Sequence, residues 1–117
     1  MMEVERSNFD ESRGRYQYYV FFRPEMVRDE PEVQSRVPVE VAVSISETGE
    51  LADVSFILPK QHRNELAVSL LAKEKTVSFV PPHVFVTVPG PSGDTVLRAV
   101  AHLDVDSLGR IIGMEIA

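Results

Sequence analysis

Three ionisable side chains near the C-terminus are spaced so that they could act together: His102, Asp104 and Glu115. His102 and Asp104 are two positions apart in an alternating stretch, so a strand there places both on one face. If that strand returns through a tight turn, Glu115 comes to lie opposite His102. An imidazole beside two carboxylates can bind a metal ion or a small ligand. The same residues are typical of a solvated strand surface, and both interpretations stay open.

The other motifs that could carry chemistry are weaker. From Asp104 to Glu115 the spacing approaches a calcium-binding loop, but Leu108 occupies a position where an oxygen ligand belongs. The two glycines within residues 89–94 lack the lysine of a phosphate-binding loop. The chain has no cysteine, which excludes thiolate nucleophiles, disulfides and Cys-ligated metals. We therefore name no catalytic residue, expect no cofactor, and lean towards a protein that is not an enzyme.

The composition indicates one soluble domain. The chain has 117 residues, of which 44% are hydrophobic and 26% charged. With a net charge of −6 and dispersed Lys and Arg residues, we expect no binding to nucleic acid. The sequence contains neither an apparent secretory signal nor a run of about 18 apolar residues. We therefore expect a cytoplasmic protein that does not bind membranes.

Hydrophobic periodicity predicts the elements that would position these residues. Alternation from 37 to 45, a turn at Gly49 and a return from 51 to 58 predict a β-hairpin. A second hairpin is predicted from 95 to 105 and from 111 to 116, with its turn at Gly109. Further predicted elements are short strands at 17–22, 76–80 and 83–88, and one amphipathic helix over about 63–73.

Together these elements predict an α+β fold, with an antiparallel sheet of about six strands and one helix packed on its apolar face. We expect residues 1–15 to form a flexible N-terminal tail and residues 16–117 to form a single domain. A shift of sixty residues aligns the apolar patterns of the two hairpins and places Gly49 on Gly109. This predicts an internal pseudo-repeat of 16–58 and 76–117, although two unrelated hairpins would share the alternation.

The register of each hairpin decides which side chains share a face. Burying several aliphatic side chains, at roughly 1.5–3 kcal/mol each, outweighs a turn preference of about 1 kcal/mol or less. We therefore expect the register that gives one apolar face. The expected pairs are Ile45–Ala52, Val43–Val54, Val41–Phe56 and Val39–Leu58 in the first hairpin, and Val105–Ile112, Leu103–Met114 and Ala101–Ile116 in the second.

Four aromatic side chains lie close together before the first hairpin: Tyr18, Tyr19, Phe21 and Phe22. Alternation cannot bury all four on one face of a strand. Core packing accounts for some of them, and we expect the others to contribute to a subunit interface.

Residues 100–116, VAHLDVDSLGRIIGMEI, resemble the C-terminal part of the small bacterial domain-of-unknown-function 2283 family. Members of that family typically close with a strand, a D-x-D-x-x-G-R turn and a V-G-I-E-I strand. The family's usual opening, a tyrosine-aspartate-proline segment, is absent from this chain. The resemblance implies no activity, because the family has none established. The residues that match it are Asp104, Asp106, Gly109, Arg110, Gly113, Glu115 and Ile116.

The sequence favours three functions in order. The first is a non-catalytic protein–protein interaction module, expected to act as a homodimer or with another protein partner. The second is a small-ligand or metal-binding domain that uses His102, Asp104 and Glu115. The third is an enzyme of unknown class.

Overall fold

The computed structural model describes residues 3–22, 35–60, 77–80, 82–107 and 111–116. They form one antiparallel sheet with the strand order β1-β2-β8-β7-β3-β4-β6-β5. The strands are β1 (Glu3–Arg6), β2 (Tyr18–Phe21), β3 (Ser35–Ile45), β4 (Leu51–Ile57), β5 (Val77–Val80), β6 (His83–Thr87), β7 (Thr95–Val105) and β8 (Ile111–Ile116).

The predicted α+β class is wrong. The described residues form eight strands instead of about six and contain no α-helix, so the fold is antiparallel β. The helix expected over 63–73 and the turn glycine Gly109 lie outside the described residues.

Most predicted strands match observed strands, but β1 was not predicted. Its sequence, Glu-Val-Glu-Arg, has one apolar residue and resembles a charged tail. In the structure these residues pair with β2 along the edge of the sheet, with Val4 opposite Val20. A strand at a sheet edge has one free side, where charged residues are favoured because they discourage aggregation. Residues 3–6 are thus a strand where the sequence predicted a flexible tail.

The expected hairpin registers are confirmed in their central pairs. Val43 pairs with Val54, and Leu103 pairs with Met114. At the turn end of each hairpin a bulge shifts the pairing by one residue, so that Ile45 lies opposite Leu51 and not Ala52. The predicted partner of Val39, Leu58, lies beyond the end of β4.

The two hairpins have the same register after a shift of sixty residues, and the bulge recurs at the same place. The strand order also reads the same from both ends when β1 to β4 are exchanged with β5 to β8. β2 of the first half pairs with β8 of the second, and β6 of the second half pairs with β4 of the first. The sheet therefore has pseudo-two-fold symmetry, with strands exchanged between its halves.

One face of the sheet forms the core. Its apolar side chains come from every region of the strand order and pack into a single cluster that includes Val20, Val43, Val84, Leu103 and Met114. We call the opposite side, which carries Tyr19, Phe85 and Glu115, the outer face. Every apolar side chain buried on the core face favours the same register, because a one-residue slip would expose it.

Contacts between distant parts of the strand order show that the sheet curves. The Tyr18 hydroxyl donates a hydrogen bond of 2.6 Å to the carbonyl of Gly49, in the β3–β4 turn. Arg6 donates to the carbonyl of Thr48 at 3.0 Å, and its guanidinium lies 4.3 Å from the centroid of the Tyr16 ring. Gly49 adopts a φ of 81°, which glycine tolerates best, and a Cβ there would clash with Tyr16. The hairpin of β1 and β2 thus packs over the β3–β4 turn.

Candidate functional site

A polar cluster on the outer face joins four neighbouring strands. Arg36 on β3 donates from Nε to Asp104 on β7 and from Nη2 to Glu115 on β8, both at 2.8 Å. The Tyr19 hydroxyl, on β2, donates to the other oxygen of Asp104 at 2.5 Å. We call Tyr19, Arg36, Asp104 and Glu115 the four-strand cluster.

Burial differs sharply within the four-strand cluster. The Asp104 side chain is only 4% exposed, whereas those of Arg36 and Glu115 are 50% and 42% exposed. A buried carboxylate needs compensating hydrogen bonds, and Asp104 receives them from the guanidinium and the phenol. The pair of Asp104 and Arg36 therefore anchors the cluster, while Glu115 closes it on the solvent side.

The ionisation of the cluster follows from this geometry. Burial and the hydrogen bond to Asp104 raise the pKa of Tyr19 well above its usual value. The hydrogen bonds to Asp104 and Glu115 raise the pKa of Arg36. Both groups therefore stay protonated at neutral pH, so Tyr19 acts as a hydrogen-bond donor and Arg36 as a fixed cation.

The structure brings His102, Asp104 and Glu115 onto one face, with His102 directly opposite Glu115 as the register predicted. Arg36, however, forms ion pairs with both carboxylates, Asp104 and Glu115. Within the described ranges no group of three or more His, Cys, Asp or Glu side chains is arranged to hold a metal ion. A cation bound between Asp104 and Glu115 would first have to displace the guanidinium.

The four aromatic residues divide between the two faces. Tyr18 and Phe22 lie in the core, 4% and 1% exposed, where they cannot contact a partner. Tyr19 and Phe21 lie on the outer face, half-buried, with ring centroids 4.5 Å apart. Tyr19 also lies over Gly113, where a Cβ would come within 2.7 Å of its ring.

A concave region of about 550 Å³ crosses strands β6, β4, β3 and β7 on the outer face. Ile57, Phe85 and Val100 line it and remain 54%, 46% and 52% exposed. We call this region the outer groove. Ala42 and Ser55 also line the groove, together with the charged or ionisable Arg15, Glu40, His83 and Arg98.

The pseudo-two-fold symmetry relates the outer groove to the four-strand cluster. A shift of sixty residues carries Ser44 onto Asp104, Ser55 onto Glu115 and Arg36 onto Val96. Phe85 pairs with Ser55 as Tyr19 pairs with Glu115, so Phe85 holds the place on β6 that Tyr19 holds on β2. One half of the outer face is therefore filled by hydrogen-bonded ionic groups. The other half presents short polar and apolar side chains around an open concavity.

Sequence reasoning missed both Arg36 and the outer groove. Arg36 lies just before the strand predicted from 37, outside every predicted element, and its partner Asp104 is 68 positions away. A signal for the groove existed in the runs of consecutive apolar residues, Phe56-Ile57-Leu58 and Val84-Phe85-Val86. Since a strand buries alternate side chains, one residue of each run had to point away from the core.

Comparison with known proteins gives no match for this chain among protein-family models, curated proteins or solved structures. No helix in the described part of the chain is long and apolar enough to cross a membrane.

Proposed function

We propose that this protein is a non-catalytic, cytoplasmic interaction module that binds an apolar segment of a protein partner in the outer groove. The observation that carries the proposal is a concavity lined by three exposed apolar side chains: Ile57, Phe85 and Val100. Concave surfaces that combine apolar side chains with a few polar groups are typical of binding sites. These residues add nothing to the core, which lies on the opposite face.

The charges of the groove favour a partner segment that also carries carboxylates. Arg15 and Arg98 outnumber Glu40, the carboxylate that lines the groove with them. Neither arginine forms an ion pair in the described part of the chain. Two unpaired cations are notable in a protein with a net charge of −6. An apolar segment flanked by Asp or Glu would pair with them while its side chains cover Phe85 and Val100.

Shape favours a different protein over a second copy. Two concave surfaces placed face to face would enclose a void, whereas an extended or helical segment can fill a groove. The proposal contains no catalytic step, since Arg36 already occupies the carboxylates of Asp104 and Glu115. The resemblance of residues 100–116 to a family without an established activity adds no chemistry to it.

The proposal is tested by affinity capture with the purified wild-type protein and two matched variants. Phe85→Ser removes an apolar residue from the groove, and Val80→Ser removes one that is 61% exposed on edge strand β5, outside the groove. We expect a partner that binds the wild type and Val80→Ser, and that binds Phe85→Ser at least tenfold more weakly when purified. The captured species is then identified by mass.

Two results would contradict the proposal. A partner that binds all three proteins equally would show that the groove is not the docking surface. A captured species of 13.1 kDa with this sequence, together with a doubled mass in light scattering, would show that the occupant is a second copy.

A further inference from the structure

Four side chains form one row across the outer groove. Phe85 on β6 lies opposite Ser55 on β4. Ser55 lies opposite Ala42 on β3, which in turn lies opposite Arg98 on β7. The two large side chains stand at the ends of the row, with their Cα positions about 14 Å apart at the usual spacing of strands. The two small side chains between them are half-buried, and we call Ala42 and Ser55 the groove floor.

The pseudo-two-fold symmetry supplies a comparison for the groove floor within the same molecule. A shift of sixty residues carries Ala42 onto His102 and Ser55 onto Glu115. In the equivalent row of the other half, both inner positions therefore carry long side chains, and Glu115 is also ion-paired. The same two backbone positions thus carry filling side chains in one half of the outer face and small ones in the other.

A second difference between the halves leaves the groove floor accessible. Arg36 extends along the four-strand cluster and donates from Nη2 to Glu115 at 2.8 Å. Its equivalent beside the groove is Val96, which is 73% exposed and too short to make a similar contact with Ser55. Ala42 and Ser55 therefore line the concavity of about 550 Å³, where a side chain from a partner can enter.

The surroundings of the groove floor decide which side chain fits. Tryptophan, tyrosine and arginine are the usual anchors of protein interfaces. A third guanidinium would be repelled, because Arg15 and Arg98 line the same groove. An aromatic ring can lie on the groove floor with its edge against the ring of Phe85, while the long side chain of Arg98 places its guanidinium over the ring face. The phenol or indole N–H of the anchor can then bond to the hydroxyl of Ser55.

We propose that the groove floor is the subsite for an aromatic anchor of the partner, a tryptophan or tyrosine with a carboxylate beside it in the partner's segment. This inference rests on the proposed function, because it names the side chain that the outer groove selects. The carboxylate belongs beside the ring because Arg98 ends the same row as the groove floor. Ala42 is the specificity-determining position, since a larger side chain there would fill the floor as His102 does in the equivalent row.

The test titrates three short peptides with the full-length protein. Because the chain contains no tryptophan, the fluorescence of a tryptophan peptide reports on that peptide alone. We expect the Asp–Trp peptide, acetyl-GDWDG-amide, to bind with a shift of its emission to shorter wavelength. The Lys–Trp peptide, acetyl-GKWKG-amide, should bind at least fivefold more weakly, because its lysines meet Arg15 and Arg98. The leucine peptide, acetyl-GDLDG-amide, should need at least fivefold higher concentrations than unlabelled competitor of the Asp–Trp sequence would predict from its own affinity.

Three variants locate the bound ring. Ala42→Ile fills the groove floor and should weaken binding of the Asp–Trp peptide at least fivefold. Thr87→Ile is the matched control, because Thr87 is an exposed residue of β6 that does not line the groove, and it should change binding less than twofold. Arg98→Gln should at least halve the preference for the Asp–Trp over the Lys–Trp peptide. Circular dichroism checks that each variant keeps the sheet.

The outcomes distinguish this inference from the proposed function. The aromatic subsite is overturned if the Asp–Trp peptide does not bind the wild type, if the leucine peptide competes as well as the Asp–Trp peptide binds, or if folded Ala42→Ile binds like the wild type. The leucine comparison uses the wild type alone, so it decides the matter even where Ala42→Ile does not fold. The proposed function fails separately, if Phe85→Ser has no effect on the captured partner. A partner that depends on Phe85 and not on Ala42 would show docking in the groove without an aromatic anchor.

Discussion

The residue that organises the polar side of the outer face is Asp104, the most buried member of the four-strand cluster. Its two oxygens are satisfied by Arg36 and by Tyr19. Removal of one donor leaves part of a buried carboxylate without compensation, which costs more than the loss of an exposed contact. Tyr19 should therefore contribute more to stability than Glu115, although both belong to the four-strand cluster.

Replacement of Tyr19 by phenylalanine should lower the free energy of unfolding by about 1–2 kcal/mol at neutral pH, because Asp104 loses a buried hydrogen bond. Urea denaturation measures this change. As a control, Glu115→Gln alters a 42% exposed carboxylate and should cost less than about 1 kcal/mol. Equal costs for the two variants would contradict the assignment of Asp104 as the anchor.

The Tyr19→Phe variant should also change the alkaline titration of the tyrosine side chains. Because the pKa of Tyr19 is raised on folding, its stabilising contribution is present below the ordinary tyrosine value near 10 and is lost as the pH rises above it. Burial also raises the pKa of Tyr18. Absorbance at 295 nm should therefore show one fewer late-ionising tyrosine in Tyr19→Phe, and a late phase of unchanged amplitude would contradict the prediction.

At the scale of the elements, the approach of β2 to β8 depends on a glycine. The ring of Tyr19 lies over Gly113, and no side chain fits between them. The position equivalent to Gly113 in the first hairpin is Asp53, which is exposed. The glycine is therefore required by the ring of Tyr19 and not by the hairpin.

Gly113→Ala should displace the Tyr19 ring and break its hydrogen bond to Asp104, with a loss of about 1–3 kcal/mol in the free energy of unfolding. Thermal or urea unfolding measures the loss. Asp53→Ala, at the equivalent position, serves as the matched control and should change stability by less than about 0.5 kcal/mol. If the clash with the Tyr19 ring is the cause, Gly113→Ala should cost little more in a Tyr19→Leu background than Tyr19→Leu costs alone, whereas additive losses would contradict the steric explanation.

At the scale of the whole molecule, the strand exchange makes each half dependent on the other. The central pair β3–β7 and the flanking pairs β2–β8 and β4–β6 all join one half to the other. Of the described strands, each half alone would keep two separate hairpins, and isolated hairpins are marginally stable in water.

The fragments 1–60 and 61–117 should therefore each lack stable structure when separate and should form the native sheet when mixed. Circular dichroism and NMR of the two fragments, alone and at equal concentrations, measure this. Each fragment alone, at the total concentration of the mixture, provides the control. A fragment that shows cooperative unfolding by itself would contradict the dependence of the halves.

The sequence by itself determined most strand positions and the central register of both hairpins. Local alternation and the burial of large apolar side chains decide these features, and both are visible within about twenty residues. The pairs Val43–Val54 and Leu103–Met114 follow directly from that rule. The alternation rule did not predict the charged edge strand β1, because a strand with one free side needs few apolar residues.

Only the tertiary structure decided which strands became neighbours, and with them the composition of both surfaces. Backbone hydrogen bonds between strands are nearly independent of residue type. The local sequence therefore does not predict the pairings of β3 with β7 and of β2 with β8. Those pairings bring Arg36 and Tyr19 to Asp104 from 68 and 85 positions away. They also bring Ile57, Phe85 and Val100 from three strands to one groove, because the strand order decides which outward-facing side chains become neighbours.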